Sequence, residues 1–248
     1  MALRESIEKQ GNWLFRWRSY FPLLGIPILL IALRNSGYIE KVFGDPANTL
    51  WGIISVSVSF LGFGIRFVTA GYVSGGTSGR NTKSQVADAL NTTGMYSIVR
   101  NPLYLGNFII ILGLILFIQV WWCALLACFG FWIYYERIIF AEEEFLRKKF
   151  GDTFLNWAKK TPVFFPKFSN WKKPSLPFSA RTALRREFPT FFATAMSFFI
   201  LAISADLITK EELKINIAWV MVLGAGFIAY AALYFLKKKT RILHVPGR

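Results

Sequence analysis

Two clusters of polar residues interrupt an otherwise apolar chain, and their types suit the binding of a small charged molecule. The first is Gly94-Met95-Tyr96-Ser97-Ile98-Val99-Arg100-Asn101-Pro102-Leu103-Tyr104-Leu105-Gly106. Asn is favoured just before a helix and Pro at its first position, so a helix is predicted to start at Pro102. Free N–H groups there, beside the Arg100 guanidinium, form a natural seat for a carboxylate or a phosphate. A plain helix start at a membrane surface, with Arg100 on lipid phosphates, is the other reading. The second cluster is Tyr134-Tyr135-Glu136-Arg137, followed one turn on by Ala141-Glu142-Glu143-Glu144 and then Arg147, Lys148 and Lys149. By itself it also reads as a solvated helix end. The interval joins the two. Glu142 lies 38 residues after Tyr104, and apolar sequence turning at Gln119-Val120 fills the gap. The chain is therefore predicted to cross and return as an antiparallel hairpin, with Arg100, Asn101 and Tyr104 within side-chain reach of Glu142 and Glu143.

The elements that must position these groups are membrane helices. Of 248 residues, 54% are hydrophobic, 17% aromatic and 17% charged, against roughly 45–50% apolar and about 25% charged in ordinary soluble domains. Disordered, collagenous and coiled-coil chains are excluded. Six apolar runs qualify as spans, at about Phe21–Leu33, Leu50–Val73, Leu103–Ile118, Val120–Phe140, Pro189–Leu207 and Ile215–Leu236, each near the ~20 residues a bilayer requires. Pro22 and Pro27 predict a kink in the first. Cys123 and Cys128 are five residues apart on one helix and point to opposite sides, which excludes a disulfide framework or a CxxC metal site. No metal ligands are expected. The predicted fold class is all-α, a polytopic bundle of about six transmembrane helices.

Net charge is +15, from 29 Lys+Arg and 14 Asp+Glu, and it is unevenly spread. Alternate inter-span segments place 24 basic residues on one face and 4 on the other. The positive-inside tendency then puts both termini and the long segments Ser74–Pro102 and Arg137–Phe188 in the cytoplasm. In this setting the basic balance does not indicate nucleic acid. Asn91-Thr92-Thr93 fits a glycosylation sequon but falls on the cytoplasmic face. Met1–Tyr20 mixes Arg4, Lys9, Arg16 and Arg18 with Trp13, Phe15, Trp17 and Tyr20, an interfacial lead-in rather than a cleavable signal. Phe150, Phe154 and Trp157, at i, i+4 and i+7 among lysines, predict an amphipathic surface helix, either a membrane contact or a lid. The Gly75–Thr82 loop has no nucleotide P-loop pattern. Arg66, about 10 Å inside its span, either snorkels to the surface or turns inward to an anionic lipid head group. His244, the only histidine, lies in the basic tail away from the candidate site. The organisation expected is an interfacial segment over 1–20, a core of four spans with a cytosolic lid over 21–188, and two further spans with a basic tail over 189–248.

The run GMYSIVRNPLYLGN, followed after one hairpin by EEEFLRKKFGDTFLNWAKKTPVFFP, resembles the integral membrane methyltransferases of the isoprenylcysteine carboxyl methyltransferase and phospholipid methyltransferase superfamily. Gly94, Tyr96, Arg100, Asn101, Pro102, Tyr104 and Gly106 fill the first half of that pattern. Glu142, Glu143, Leu146, Phe150, Gly151 and Phe154 fill the second, and Pro162 and Pro166 bound the stretch beyond Phe154. Coverage is about Gly94–Pro166. One departure is Asn101, where many members carry His; an amide can replace one of the imidazole hydrogen bonds.

The resemblance implies an S-adenosylmethionine-dependent transferase, multi-pass in the membrane (the inner membrane if the source is bacterial), with its site facing the cytoplasm. Glu142 and Glu143 would take the ammonium and ribose hydroxyls of the cofactor, and Arg100 with the helix amides its carboxylate. Tyr96 and Tyr104 would pack on adenine or sulfonium, while Asn101, Pro102, Leu103 and Gly106 complete the cofactor set. Arg100, Arg66 and Arg137 are the candidate catalytic cations. The acceptor would be a membrane lipid or lipidated molecule carrying a phosphate, amine or carboxylate. Two other classes stay open: a non-catalytic multi-pass scaffold or transporter, and a steroid-reductase-like membrane oxidoreductase. The sequence assigns no oligomeric state.

Overall fold

The computed structural model describes residues 2–77, 85–210 and 217–248. It is all-α among the described residues. The helices are α1 (Leu3–Trp17), α2 (Ile26–Leu33), α3 (Tyr38–Phe43), α4 (Asp45–Tyr72), α5 (Met95–Ile98), α6 (Pro102–Ile118), α7 (Trp121–Phe150), α8 (Asp152–Lys160), α9 (Ala180–Lys210) and α10 (Ile217–Lys239). Five stretches are long and apolar enough to cross a bilayer: Leu23–Phe43, Asp45–Tyr72, Trp121–Phe150, Ala180–Thr209 and Ile217–Lys239. The sixth, Pro102–Ile118, is apolar but shorter. The polytopic bundle expected from composition is therefore what forms.

Helix bounds differ from the sequence reading where polar residues continue a helical register. The fourth span does not end near Phe140; α7 runs on to Phe150 and carries the glutamate run in its C-terminal part. Likewise α9 starts at Ala180 rather than Pro189, so its basic first turns and Pro189 are helical. The first span begins as a 3-10 turn at Phe21–Gly25, as its prolines suggested, and is interrupted again between Leu33 and Tyr38. Of the Gly75–Thr82 loop, the part from Ser78 lies outside the described residues, as do Lys214 and the start of the expected last span.

Two helix contacts set the frame. Helices α4 and α6 meet through small residues: a Cβ on Gly62 would lie 2.6 Å from the Gly106 carbonyl, and one on Gly113 would lie 2.5 Å from the Ser55 carbonyl. Apolar helices in lipid gain little from hydrophobic burial against each other, so close backbone approach and interhelical hydrogen bonds hold them. The Ser59 hydroxyl supplies one, donating to the Ile110 carbonyl at 2.8 Å. The other contact lays amphipathic α1 across the end of α7. Leu14 and Phe15 bury against Tyr134 and Ile138, and Gly11 abuts the Arg137 carbonyl, where a Cβ has no room. Ion pairs Arg4–Glu144 and Glu8–Lys148, both 2.5 Å, line the same seam.

The hairpin turn is fixed from outside. Gln119 takes a left-handed conformation (φ 65°), the only non-glycine to do so among the described residues. Its side chain accepts from the Ile39 N–H at 2.9 Å and donates to Asn48 at 2.6 Å. That network sits at the end of the bundle opposite the glutamate run. Both chain ends lie at the other end: the Gly75 N–H donates to the Gly247 carbonyl at 2.8 Å, and α1 packs along the glutamate-bearing end of α7.

Candidate active site

A strap of backbone aims Arg100 at α7. Ile98 and Val99 are fully buried, and the chain from Pro162 to Lys167 pairs with them: the Arg100 N–H donates to the Pro162 carbonyl (2.8 Å) and the Lys167 N–H to the Ile98 carbonyl (2.9 Å). Asn101 stands at the N-cap position of α6, but its side chain does not cap the helix. It donates instead to the Val163 carbonyl at 3.2 Å, fastening the same strap. Helix α8 closes over the segment. Phe154 is buried, and the Trp157 indole N–H donates to the Tyr96 carbonyl at 3.1 Å.

With the strap in place, the two clusters meet. Arg100 Nη1 and Glu143 Oε2 are 2.8 Å apart, and the Tyr104 hydroxyl donates to Glu142 Oε1 at 2.8 Å. Arg100 lies two residues before α6 and Tyr104 in its first turn, and they engage the adjacent acids Glu143 and Glu142 of α7, whose side chains diverge by about 100° around that helix. Arg100 Nε and Glu143 Oε1 are buried and have no protein partner, although both groups are otherwise engaged. A buried, unpaired donor and acceptor side by side are costly unless a ligand satisfies them.

Arg100, Tyr104 and Glu142 border a cavity of about 900 Å³. On the hairpin side it is lined by Tyr96, Arg100, Asn101, Pro102, Leu103, Tyr104 and Glu142, seven of the residues singled out in the sequence. Glu143 stands one step back, behind Arg100. Arg66 also lines it but does not face a lipid. Its guanidinium forms a two-pronged pair with Glu187 of α9, Nε to Oε2 and Nη2 to Oε1 both 2.9 Å, and Nη1 donates to Asn107 at 2.6 Å. A charge this deep needs an internal partner, and Glu187 is that partner in place of the head group expected. Asn107 in turn donates to the Tyr135 hydroxyl (3.2 Å), whose ring packs 4.6 Å from Tyr104 and stacks at 4.1 Å on Phe131.

Two expected site residues lie elsewhere. Arg137 is on the face of α7 turned to α1; it donates to Gln10 (3.0 Å) and to the Ile133 carbonyl (3.2 Å) and does not line the cavity. Residue 137 is five positions before Glu142, and five residues on a helix turn roughly halfway round the axis. Gly106 also contacts no cavity space. It lets Arg66 lie flat, since a Cβ there would sit 2.5 Å from Arg66 Cγ.

The far wall was not legible. Glu187, Arg185 and Arg186 of α9, Lys237 of α10 and Arg18 after α1 all line the cavity. Pro189 explains part of this arrangement. It has no N–H to give the carbonyl four residues back, and Lys237 Nζ donates to that Arg185 carbonyl at 3.4 Å. A single acid in a basic run followed by Pro was the available signal. Among the described residues no group of three or more His, Cys, Asp or Glu is placed to hold a metal.

Comparison with known proteins agrees with the geometry. Residues 53–153, which span α4 through the Arg100 and glutamate clusters, match the phospholipid methyltransferase family. The chain is 30% identical over 151 residues to the nickel-cobalt-cadmium resistance protein NccN of Alcaligenes xylosoxydans xylosoxydans, covering 60% of this chain and 65% of that one. It is 32% identical over 131 residues to the cobalt-zinc-cadmium resistance protein CzcN of Cupriavidus metallidurans, covering 53% and 55%. In both cases less than two thirds of the relative is spanned. A third match, 35% over 77 residues, is to the protein-S-isoprenylcysteine O-methyltransferase of Schizosaccharomyces pombe, covering 31% and 33%. No solved structure shows significant similarity. The matched stretch contains the whole hairpin that joins Arg100 to Glu143, and over that stretch the chain is similar to phospholipid methyltransferases and to an isoprenylcysteine O-methyltransferase.

Proposed function

We propose that the chain is an S-adenosylmethionine-dependent methyltransferase acting on a lipid or lipidated acceptor at the cytoplasmic face of a membrane. The observation that carries this is the unpaired buried couple, Arg100 Nε and Glu143 Oε1, beside a roomy cavity with aromatic walls. The donor has a carboxylate, an ammonium, ribose hydroxyls, an aromatic base and a sulfonium. Each finds a suitable group: Arg100 for the carboxylate, Glu142 and Glu143 for the ammonium and hydroxyls, and Tyr104 and Tyr96 for the base or sulfonium. When bound, the cofactor supplies a methyl group made electrophilic by the adjacent positive sulfur.

The protein's own contribution is position and dryness. The Tyr104–Glu142 and Arg100–Glu143 contacts fix the acids before any ligand arrives, which lowers the ordering cost of binding. Helix α8, tied to Tyr96 by Trp157, covers the site and excludes water, and alignment of the reacting atoms supplies most of the acceleration expected for an in-line displacement. The cytoplasmic placement is supported by the basic surplus on the face that carries both termini. Arg137 has no part in this reading, and Arg66 acts as a positioning residue.

The test is titration of the purified protein with the demethylated product, S-adenosylhomocysteine. Glu142→Gln and Arg100→Ala should abolish binding while Arg137→Ala retains it. Binding unchanged in the first two removes the assigned pocket. Saturable binding of a reduced nicotinamide cofactor in place of the homocysteine compound would turn the assignment to an oxidoreductase, and binding of neither would leave a scaffold or transporter.

A further inference from the structure

The strap that fastens Arg100 has an outer face, and that face is both aromatic and basic. Between Asp152 and Glu187 the chain carries five lysines and three arginines and no acid. In the same stretch Phe165, Phe168 and Trp171 turn outward, with Phe165 73% and Phe168 74% exposed, and none of the three lines the cavity. A contiguous exposed aromatic patch marks a contact with a partner or a membrane. Lys167, Lys172 and Lys173 stand among these rings, all exposed, and none of their ammonium groups enters an ion pair among the described residues.

Helix α6 sets the depth of this patch. Its 17 residues reach about 26 Å at 1.5 Å each, less than the ~30 Å of hydrocarbon in a bilayer, so the layer extends past its ends and something apolar must fill the shortfall. At the start of α6 the strap does so. The Phe164 ring packs 5.5 Å from Phe108, which stands six residues, or ~9 Å, into α6, and 6.0 Å from Trp132, a half-exposed residue in the apolar part of α7. Irregular backbone at such depth survives only where its polar groups are paired within the protein. Pro162 and Pro166 bring no N–H. The Pro162 and Val163 carbonyls accept from the Arg100 backbone and the Asn101 side chain, and the Lys167 N–H donates to Ile98.

We propose that residues 162–171 form a re-entrant membrane contact whose partner is anionic phospholipid. Phe165 and Phe168 enter the leaflet on the side of the glutamate run, and Lys167, Lys172 and Lys173, where the chain returns to the surface, hold the lipid phosphates. Trp171 lies at head-group level, where the amphipathic indole is favoured. Each lysine beside an anionic leaflet contributes roughly fivefold to the preference for charged over neutral lipid. The contact stands independently of the methyl-donor assignment. It bears on the site all the same, because the carbonyl that fixes the Arg100 backbone belongs to the segment the leaflet holds.

The experiment uses the full chain in phosphatidylcholine vesicles, with Phe165→Cys carrying a nitrobenzoxadiazole fluorophore on a Cys123→Ala, Cys128→Ala background. Phe168→Cys is a second label position, and both side chains are exposed, so the label displaces no packed ring. A minority of the lipid, the same fraction in each arm, is replaced by phosphatidylcholine or by phosphatidylglycerol brominated in the acyl chain. Emission should be lost to both brominated lipids, more to phosphatidylglycerol, and should be spared by aqueous iodide. Lys167→Gln, Lys172→Gln and Lys173→Gln together should bring the two brominated lipids to equal quenching while the label stays shielded from iodide. Quenching by iodide and not by brominated lipid at both label positions puts the strap in water and overturns the proposal. Equal quenching by the two lipids with the lysines in place overturns the anionic partner, and a preference that survives the triple replacement overturns the assigned lysines.

Discussion

Breaking the Arg66–Glu187 pair should unfold the chain at markedly lower temperature, and replacing both partners should restore much of the loss. The side chains are 12% and 5% exposed, and each nitrogen–oxygen contact is 2.9 Å. Removing one member of such a buried pair strands the other charge, which costs about 3–5 kcal/mol in protein interiors. Polar contacts between membrane helices measure lower, at ~0.6 kcal/mol on average. Here the guanidinium sits six residues, or ~9 Å, from the end of α4, and retains Asn107 as a neutral partner. The expected loss for Glu187→Gln is therefore about 2–4 kcal/mol, between the soluble and membrane figures. At roughly 2–4 °C per kcal/mol for a chain of this length, the midpoint falls by roughly 5–15 °C. Arg66→Met should lose a similar amount. Combined with Glu187→Leu it should recover most of it, since no charge is left unpaired. Thermal unfolding in one detergent, followed by intrinsic tryptophan fluorescence, measures all four proteins. If Glu187→Gln stays within about 0.5 kcal/mol of wild type, or the double variant loses the sum of the singles, α9 does not dock on α4 through this pair and the far wall of the cavity is not where we place it.

Three smaller perturbations probe the frame around the site. Gly106→Ala puts a Cβ 2.5 Å from Arg66 Cγ and 2.8 Å from the Gly62 carbonyl; it should cost ~1–3 kcal/mol of stability, whereas Gly64→Ala, with nothing within 4 Å, should be neutral in the same unfolding assay. Pro189→Ala restores an N–H to the Arg185 carbonyl and releases Lys237; α9 should gain amide protection in hydrogen exchange. Trp157→Phe removes the hydrogen bond to the Tyr96 carbonyl, worth about 1 kcal/mol, and stopped-flow measurement should show S-adenosylhomocysteine leaving roughly fivefold faster.

The hairpin side of the cavity was legible because its parts are linked by one short, regular connection. Two apolar runs with a two-residue turn leave little choice of geometry, and Arg100 and Tyr104 meet Glu143 and Glu142 as the hairpin requires. Hydropathy located the spans for the same reason: backbone polar groups in lipid must pair within the helix. It misplaced their ends, because charged residues such as Glu142–Glu144 and Arg181–Glu187 continue a helix beyond its apolar part. For Arg66 the cost of a buried charge announced that a partner exists, but Glu187 is 121 residues away, and no local pattern connects two residues brought together by the packing of α9 on α4. Arg137 is near Glu142 along the chain, but helical phase places it on the face of α7 turned to α1.

That difference between local and distant assembly separates the two walls of the cavity. The donor pocket is carried by one hairpin and its strap, all within or next to the matched residues 53–153. The opposite wall is carried by α9 and α10, which pack on α4 through the Arg66–Glu187 pair and also touch α6 directly, where Phe117 meets Phe198 and Trp219. A hairpin of this kind can therefore keep its own contacts while the helices docked beside it vary, provided each new wall also neutralises the arginine at position 66. Exchanging α9 and α10 for other apolar helices should then leave the thermal unfolding midpoint of the chain near its original value only when an acid is kept at the position of Glu187, because without it the Arg66 charge is stranded.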